Sequence, residues 1–194
     1  HNLSGIEWAI GIPGTLGGAI YCNIHGVNKN NFDKLLISID IFNQKTQTTE
    51  TLLAKNLSWD YDFSDFQKLS HLVILSATLQ LSPGNQSQSQ NLVKKIINKK
   101  SPIQPTNSTG SVFKNPPGDS AGRIIDEDLK LKGFRLGDAQ ISPQHANFIV
   151  NLAHATAADY YFLVQKIQSE AKTKLNLNLE PEIQFLGDFS SPTK

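Results

Sequence analysis

Cysteine is almost missing from this chain: Cys22 is the one example in 194 residues. That excludes an internal disulfide framework and fits a reducing compartment, so a cytoplasmic location is expected. Neither sign of charge dominates. Lys and Arg number 18 against 17 Asp and Glu, so no field spread over the whole surface draws in nucleic acid or an anionic membrane, and any phosphate binding has to be local. No apolar run approaches the roughly 20 residues that span a bilayer. The opening His1-Asn2-Leu3-Ser4-Gly5 has neither a methionine nor the basic and apolar regions of a signal peptide. With Gly11-Ile12-Pro13-Gly14 following so soon, the chain is expected to begin inside a folded unit, with more of it upstream. His, Cys, Asp and Glu nowhere fall at metal-ligand spacing; Cys22 and His25 are neighbours without further partners, and no metal is expected.

What is present divides in two. Glycines at 11, 14, 17, 18 and 26 mark a turn-rich segment where the backbone comes close to something flat, such as a cofactor. Leu35, Ile37, Ile39 and Ile41 alternate with Leu36, Ser38, Asp40 and Phe42, which predicts a strand, with 47–53 as its hairpin partner. Val73, Leu75, Ala77, Leu79 and Leu81 predict another. The break at Ser82-Pro83-Gly84-Asn85 and the polar run 86–90 place a boundary at 83/84, giving a strand-rich lobe 1–83 and a second lobe 84–194. In the second, Leu92, Val93, Ile96 and Ile97 recur at helical spacing, and Lys99-Lys100 reads as that helix's solvated end. Residues 121–128 predict a short helix capped by Asp119 or Ser120. Phe148-Ile149-Val150 is a buried strand, Thr156 to Asp159 a capping box opening a helix with the stripe Tyr160, Leu163, Val164, Ile167 and Ala171, and 183–186 a last strand. The fold class is α+β: a strand-rich lobe followed by a smaller α+β lobe.

Polar function is densest in Gly110-Ser111-Val112-Phe113-Lys114-Asn115-Pro116, followed by Gly118-Asp119-Ser120-Ala121-Gly122. A hydroxyl, an ammonium and a carboxamide in one short segment suit a loop that grips an anionic group and presents a proton donor. Taken alone, Ser111 also reads as a loop serine capping a turn and Lys114 as an exposed loop lysine.

Three segments in order, Gly11-Ile12-Pro13-Gly14-Thr15-Leu16-Gly17-Gly18-Ala19, then the Gly110 to Pro116 run, then 142–151 (Ser-Pro-Gln-His-Ala-Asn-Phe-Ile-Val-Asn), closing with Leu179-Glu180-Pro181-Glu182-Ile183, resemble the UDP-N-acetylmuramate dehydrogenases. These are also called UDP-N-acetylenolpyruvoylglucosamine reductases, flavoenzymes of peptidoglycan precursor synthesis. The likeness covers nearly the whole chain and the later part of the family's length, in its compact subtype; the family's N-terminal FAD subdomain has no counterpart here. The resemblance implies FAD and NADPH as cofactors, a UDP-sugar carrying an enolpyruvyl group as substrate, and a lobe 1–83 that is the C-terminal part of the FAD-binding domain. Reduction of that group leaves an enolate, which needs hydrogen-bonding or cationic stabilisation and an acid. By family position Ser111 is the proton donor, Glu182 the assisting and inward-facing carboxylate, Asn115 a diphosphate contact with Lys114 beside it, and Gly11, Ile12, Pro13, Gly14, Thr15, Gly17, Gly18, Asn23 and His145 the cofactor contacts. Spacing alone does not separate Glu180 from Glu182, which share a strand face. His145 titrates near neutrality, yet a lone histidine before a buried strand reads as a hydrogen-bonded structural residue rather than a general base.

Three departures stand out. The family pattern Tyr-Arg-x-Ser-x-Phe is here Tyr61-Asp62-Phe63-Ser64-Asp65-Phe66, an anion for the cation that stabilises the developing charge. Loss of one such donor costs about 3 kcal/mol, and Arg123, Arg135 and residues upstream are candidate replacements. Asn-Ala-Gly-Ala-Tyr-Gly is here Asn23-Ile24-His25-Gly26-Val27-Asn28, closer to other flavin oxidoreductases of the same superfamily. Leu129-Lys130 stands where Gly-Leu is usual. Two other readings therefore stay open: a sugar or alcohol oxidoreductase of that superfamily, and a module that binds a UDP-sugar without turning it over. A chain of this extent by itself is expected to be inactive.

Overall fold

The computed structural model describes residues 1–12, 14–26, 30–100 and 104–189. Packing divides the chain into two compact units, His1–Lys99 and Lys100–Lys194.

The first unit contains β1 (Leu3–Ser4), α1 (Leu16–Tyr21), β2 (Leu36–Asn43), β3 (Thr48–Leu53), β4 (Trp59–Asp60), β5 (Phe63–Ser64), β6 (Leu72–Leu79), β7 (Ser82–Pro83) and α2 (Gln86–Lys100). An antiparallel sheet of order β3-β2-β6 carries the core, and β1 pairs with β7 and β4 with β5. Ile20, Phe32, Ile39, Ile41 and Phe66 are buried together. The simple alternation expected for β2 fails at its start: Leu36 is buried and Ile37 exposed, because the β2–β6 register shifts between Leu36 and Ser38. A second shift lies between Asp40 and Ile41, where Leu72 and Ile74 take the inward positions and leave Val73 and Leu75 outside. One extra residue reverses every following side chain.

The glycine segment is less turn-rich than its composition predicts, since Gly17 and Gly18 lie inside α1. Thr15 makes that helix possible by accepting a hydrogen bond from Gly18 N–H at 3.1 Å, and Gly17 faces Ile74 of β6. The polar run 86–90, expected as a boundary, is the first turn of α2. Asn85 caps it through Gln88 N–H (3.1 Å), and Ser89 Oγ donates to Glu7 Oε1 at 2.7 Å. The helix thus belongs with the first unit, and the division falls at 99/100 rather than at 83/84.

The second unit contains β8 (Ser108–Ser111), α3 (Ala121–Arg123), β9 (Arg135–Leu136), β10 (Ala139–Ile141), β11 (Phe148–Asn151) and α4 (Ala157–Leu175). Its antiparallel sheet has the order β8-β11-β10-β9, and α4 packs on β9 and β10. Leu163, Val164, Ile167 and Ala171 of α4 are fully buried against Ile125, Ile141 and Ile149; each such aliphatic side chain contributes about 1.5 to 3 kcal/mol by leaving water. Thr156 and Asp159 form the capping box, and Asn176 closes the helix in the left-handed region at φ 51°. Ser120, not Asp119, caps α3, accepting from Arg123 N–H. The helix then widens into a π turn, Ile124–Asp128. No strand forms at 183–186. The chain pairs with the 112–114 segment through a single bridge, Phe113 with Pro181. Beyond it Ile183 and Phe185 lie on the core, so their alternation reflects packing without a ladder.

Candidate functional site

In the second unit, the segment after β8 is held from two sides. Asn147, buried beneath it, accepts from Phe113 N–H with Oδ1 (3.0 Å) and donates with Nδ2 to Phe113 O (2.9 Å), while its own carbonyl takes Val112 N–H (2.8 Å). On the other side Lys114 N–H donates to Glu180 O (2.9 Å) and Glu182 N–H to Val112 O (2.8 Å). These bonds explain why the sequence needs asparagine two residues after His145: a carboxamide can offer both a donor and an acceptor to the backbone of one residue. Buried Ser142 shapes the preceding turn by accepting from Gln144 and His145 N–H.

Ser111 ends β8, half-buried, opposite Phe148. Its hydroxyl has no hydrogen-bond partner among the described residues. The bland alternative, a serine capping its own turn, is not what the structure shows. Glu182 lies on the segment bonded to Val112, one residue from Ser111, but its side chain is exposed, not turned inward. The reason is that the single bridge at Pro181 puts Pro181 and Phe113 on the inner side. Lys114 Nζ pairs with Glu180 Oε1 at 2.6 Å, with Glu180 70% exposed; a pair so open to solvent is weak and readily exchanges partners. Asn115 is exposed, and its Oδ1 accepts Ala121 N–H at 3.0 Å, which leaves Nδ2 as a donor.

His145 packs edge-on against Phe148 (4.9 Å between centroids) and over Gly122, where an added Cβ would come within 2.8 Å of the imidazole. Its Nδ1 accepts from Asn147 N–H (3.2 Å), and burial holds its pKa below the usual histidine value, so the ring is a neutral Nε2–H tautomer near pH 7. Arg123 is enclosed by Asp119, Glu127 and Asp128; those bonds raise its pKa and lower that of Asp119 to about 2. Arg135 is 52% exposed and paired with Asp138. Both guanidiniums are paired within the second unit.

In the first unit, Gly11 (φ 75°) and Gly14 (φ 126°) adopt backbone conformations that side chains disfavour, and a Cβ at either would meet nothing within 4 Å. That open backbone at Gly11 and Gly14 fits a flat group such as FAD; Pro13 lies outside the described residues. Ile12 N–H is spent on Ala9 O (3.1 Å), and Thr15, Gly17 and Gly18 serve α1. Asn23 is buried at φ 43°, with Nδ2 on Asp60 O (2.9 Å) and Oδ1 on Asp33 N–H (3.0 Å). Its side chain organises the fold, holding backbone with each end of the carboxamide. Among the described residues, no cluster of three or more His, Cys, Asp or Glu could hold a metal, and no helix is long and apolar enough to cross a membrane.

Residues 101–186 match the model of the UDP-N-acetylenolpyruvoylglucosamine reductase C-terminal domain. A UDP-N-acetylenolpyruvoylglucosamine reductase of Staphylococcus carnosus is 37% identical over 190 residues, 97% of this chain and 60% of the relative. One of Prochlorococcus marinus is 40% identical over 189 residues, 96% of this chain and 63% of the relative. Among solved structures, the UDP-N-acetylenolpyruvylglucosamine reductase of Thermus caldophilus superposes with a TM-score of 0.80 at 33% identity, covering 94% of this chain and 64% of that one. The chain spans about three fifths of the length of these curated relatives. With both units accounted for in one continuous match, the chain belongs to the UDP-N-acetylenolpyruvoylglucosamine reductase family.

Proposed function

We propose that the protein of which this chain is part reduces the enolpyruvyl ether of a UDP-sugar to the lactyl ether, UDP-N-acetylmuramate, in peptidoglycan precursor synthesis, with FAD and NADPH. Bound FAD would supply the hydride for the methylene carbon of the enolpyruvyl group, and the open backbone at Gly11 and Gly14 would hold it. This chain's own residues then have three tasks. Ser111 Oγ delivers a proton to the carbon next to the carboxylate as the enolate collapses, and recovers a proton from solvent afterwards. The exposed Glu182 carboxylate, on the neighbouring segment, assists that exchange. Asn115 Nδ2 donates to a diphosphate oxygen, and Lys114 turns from Glu180 to the same group.

One observation carries the reading: a serine hydroxyl without a partner among the described residues, next to a segment fixed by the Asn147 carboxamide. Ser111→Ala in the full-length protein tests it. NADPH-driven flavin reduction should persist, while reoxidation by the UDP-enolpyruvyl sugar slows by about 100-fold or more, followed by stopped-flow absorbance. Unchanged reoxidation would remove Ser111 from the chemistry, and nucleotide-sugar binding without any NADPH oxidation in the unsubstituted protein would favour the binding-module reading.

A further inference from the structure

A hydroxyl that makes no hydrogen bond of its own takes its place from the backbone that carries it. Ser111 is in that position among the described residues, so whatever fixes its Cα also decides where a proton on Oγ can be delivered. The strand before it gives little hold. Ser108 pairs with Val150 and Ser111 with Phe148, so the β8–β11 register shifts and three steps along β8 face two along β11. Gly110 lies inside that shift at φ 94°, with nothing within 4 Å of an added Cβ, and glycine is the residue that restrains the chain least.

The segment after Ser111 is held firmly. Val112 and Phe113 are each 1% exposed and Asn147 3%. Three bonds reach them from this one asparagine: its carbonyl takes Val112 N–H at 2.8 Å, Oδ1 takes Phe113 N–H at 3.0 Å, and Nδ2 donates to Phe113 O at 2.9 Å. At such depth hydrogen bonds are stronger than in water and an unmade partner is costly, so the arrangement is kept as a unit. Asn147 is itself oriented, because its N–H donates to His145 Nδ1 at 3.2 Å and that imidazole packs against Phe148 and Gly122.

We propose that Asn147 is a positioning residue for proton transfer from Ser111: by holding Val112 and Phe113 at once, it aims a hydroxyl that makes no bond of its own to the described residues. The proposal deepens the reading of Ser111 as the acid and rests on it. Asn147 is buried and acts through the backbone, not by meeting the substrate.

The test follows reoxidation of the reduced flavin by the UDP-enolpyruvyl sugar, at saturating sugar, by stopped-flow absorbance. It compares the unsubstituted full-length protein with Ser111→Ala, Asn147→Ala and the double variant. Reduction by NADPH precedes it in each and counts the folded, competent molecules. A donor misplaced by about 1 Å costs up to about 100-fold, so Asn147→Ala should slow reoxidation by about 10- to 100-fold. In the double variant no donor is left to aim, and the rate should match that of Ser111→Ala within about twofold. A residue that merely supports the fold behaves differently, since its loss slows the reaction with or without the hydroxyl. Equal slowing in the two backgrounds, or an unchanged rate in Asn147→Ala, overturns the positioning role and leaves Ser111 as the acid. Unchanged reoxidation in Ser111→Ala removes the acid itself, and with it the role assigned to Asn147. Asn147→Asp decides the matter if Asn147→Ala does not fold. A carboxyl offers the donor and acceptor of a carboxamide only when protonated, and burial raises its pKa. Reoxidation in this variant should therefore recover as pH falls, relative to the unsubstituted protein, which carries the same neighbouring His145. Parallel pH profiles in the two proteins overturn the proposal.

Discussion

Asn23 and Asn147 are the same device used in two different units. Each is buried, and each spends both ends of its carboxamide on backbone from a distant segment. What they hold differs. Asn147 grips both backbone polar groups of one residue, Phe113, and so fixes the chain direction directly after Ser111. Asn23 ties Asp60 O to Asp33 N–H, bringing two loops to a cleft that His25 lines. In the second unit the clamped segment carries the reactive group within itself. In the first, the clamp joins three segments, which leaves them free to vary in the residues they present, as His25 and Asp62 do.

Removing the clamps is the sharpest way to break the comparison. Asn147→Ala strands a buried N–H and a buried C=O together, at about 1 to 3 kcal/mol for each group. Total destabilisation of about 3 kcal/mol is expected, with amide exchange accelerated at Val112 and Phe113 and unchanged in the first unit. Asn23→Ala loses one bond to each of two less buried loops and places alanine at φ 43°. About 2 kcal/mol is expected there, seen as faster exchange at Asp33 with the Asn147 network intact. Equal exchange changes across both units after either substitution would show that the two devices are not local.

Glu7 gives the smallest effect and a pH signature. Hydrogen bonds from Ser4, Ser89 and Gly5 N–H hold its pKa at about 2 instead of 4.5. The stabilisation is complete above about pH 4.5 and drains away as pH falls toward 2. Glu7→Gln should therefore cost about 1 kcal/mol at pH 7 after solvent screening is allowed for, and thermal melts of the two proteins should converge in acid. A gap that stays constant down to pH 2.5 would break the assignment.

Elements set by local chemistry were legible in the sequence. The capping box at Thr156, the stripe of α4 and the buried run 148–150 each depend on neighbours within a few positions, and the structure places them there. Helix α1 was hidden because Gly17 and Gly18 read as turn residues, while the helix is fixed by Thr15 and by packing on β6. The face reversals in β2 and β6 were hidden because a register shift is a property of the pair, not of either strand. At the site, the motif order pointed to Ser111, Lys114 and Asn115, but not to the clamp by Asn147, whose partner lies 34 positions away. His25 and Asp62 each stood out as an oddity, and no local rule foretells that His25 Nδ1 lies 2.8 Å from Asp62 Oδ1. The outward turn of Glu182 was likewise invisible, since residues of a strand and residues flanking a single bridge look alike in sequence.

The paired shifts between β2 and β6 carry a practical consequence for anyone grafting or recombining this unit. Each strand is written in a code only its neighbour can read, so exchanging one of them for the equivalent piece of a regularly alternating relative would turn Val73 and Leu75 toward the interior and Ile74 toward water. The two strands can be transplanted together or not at all.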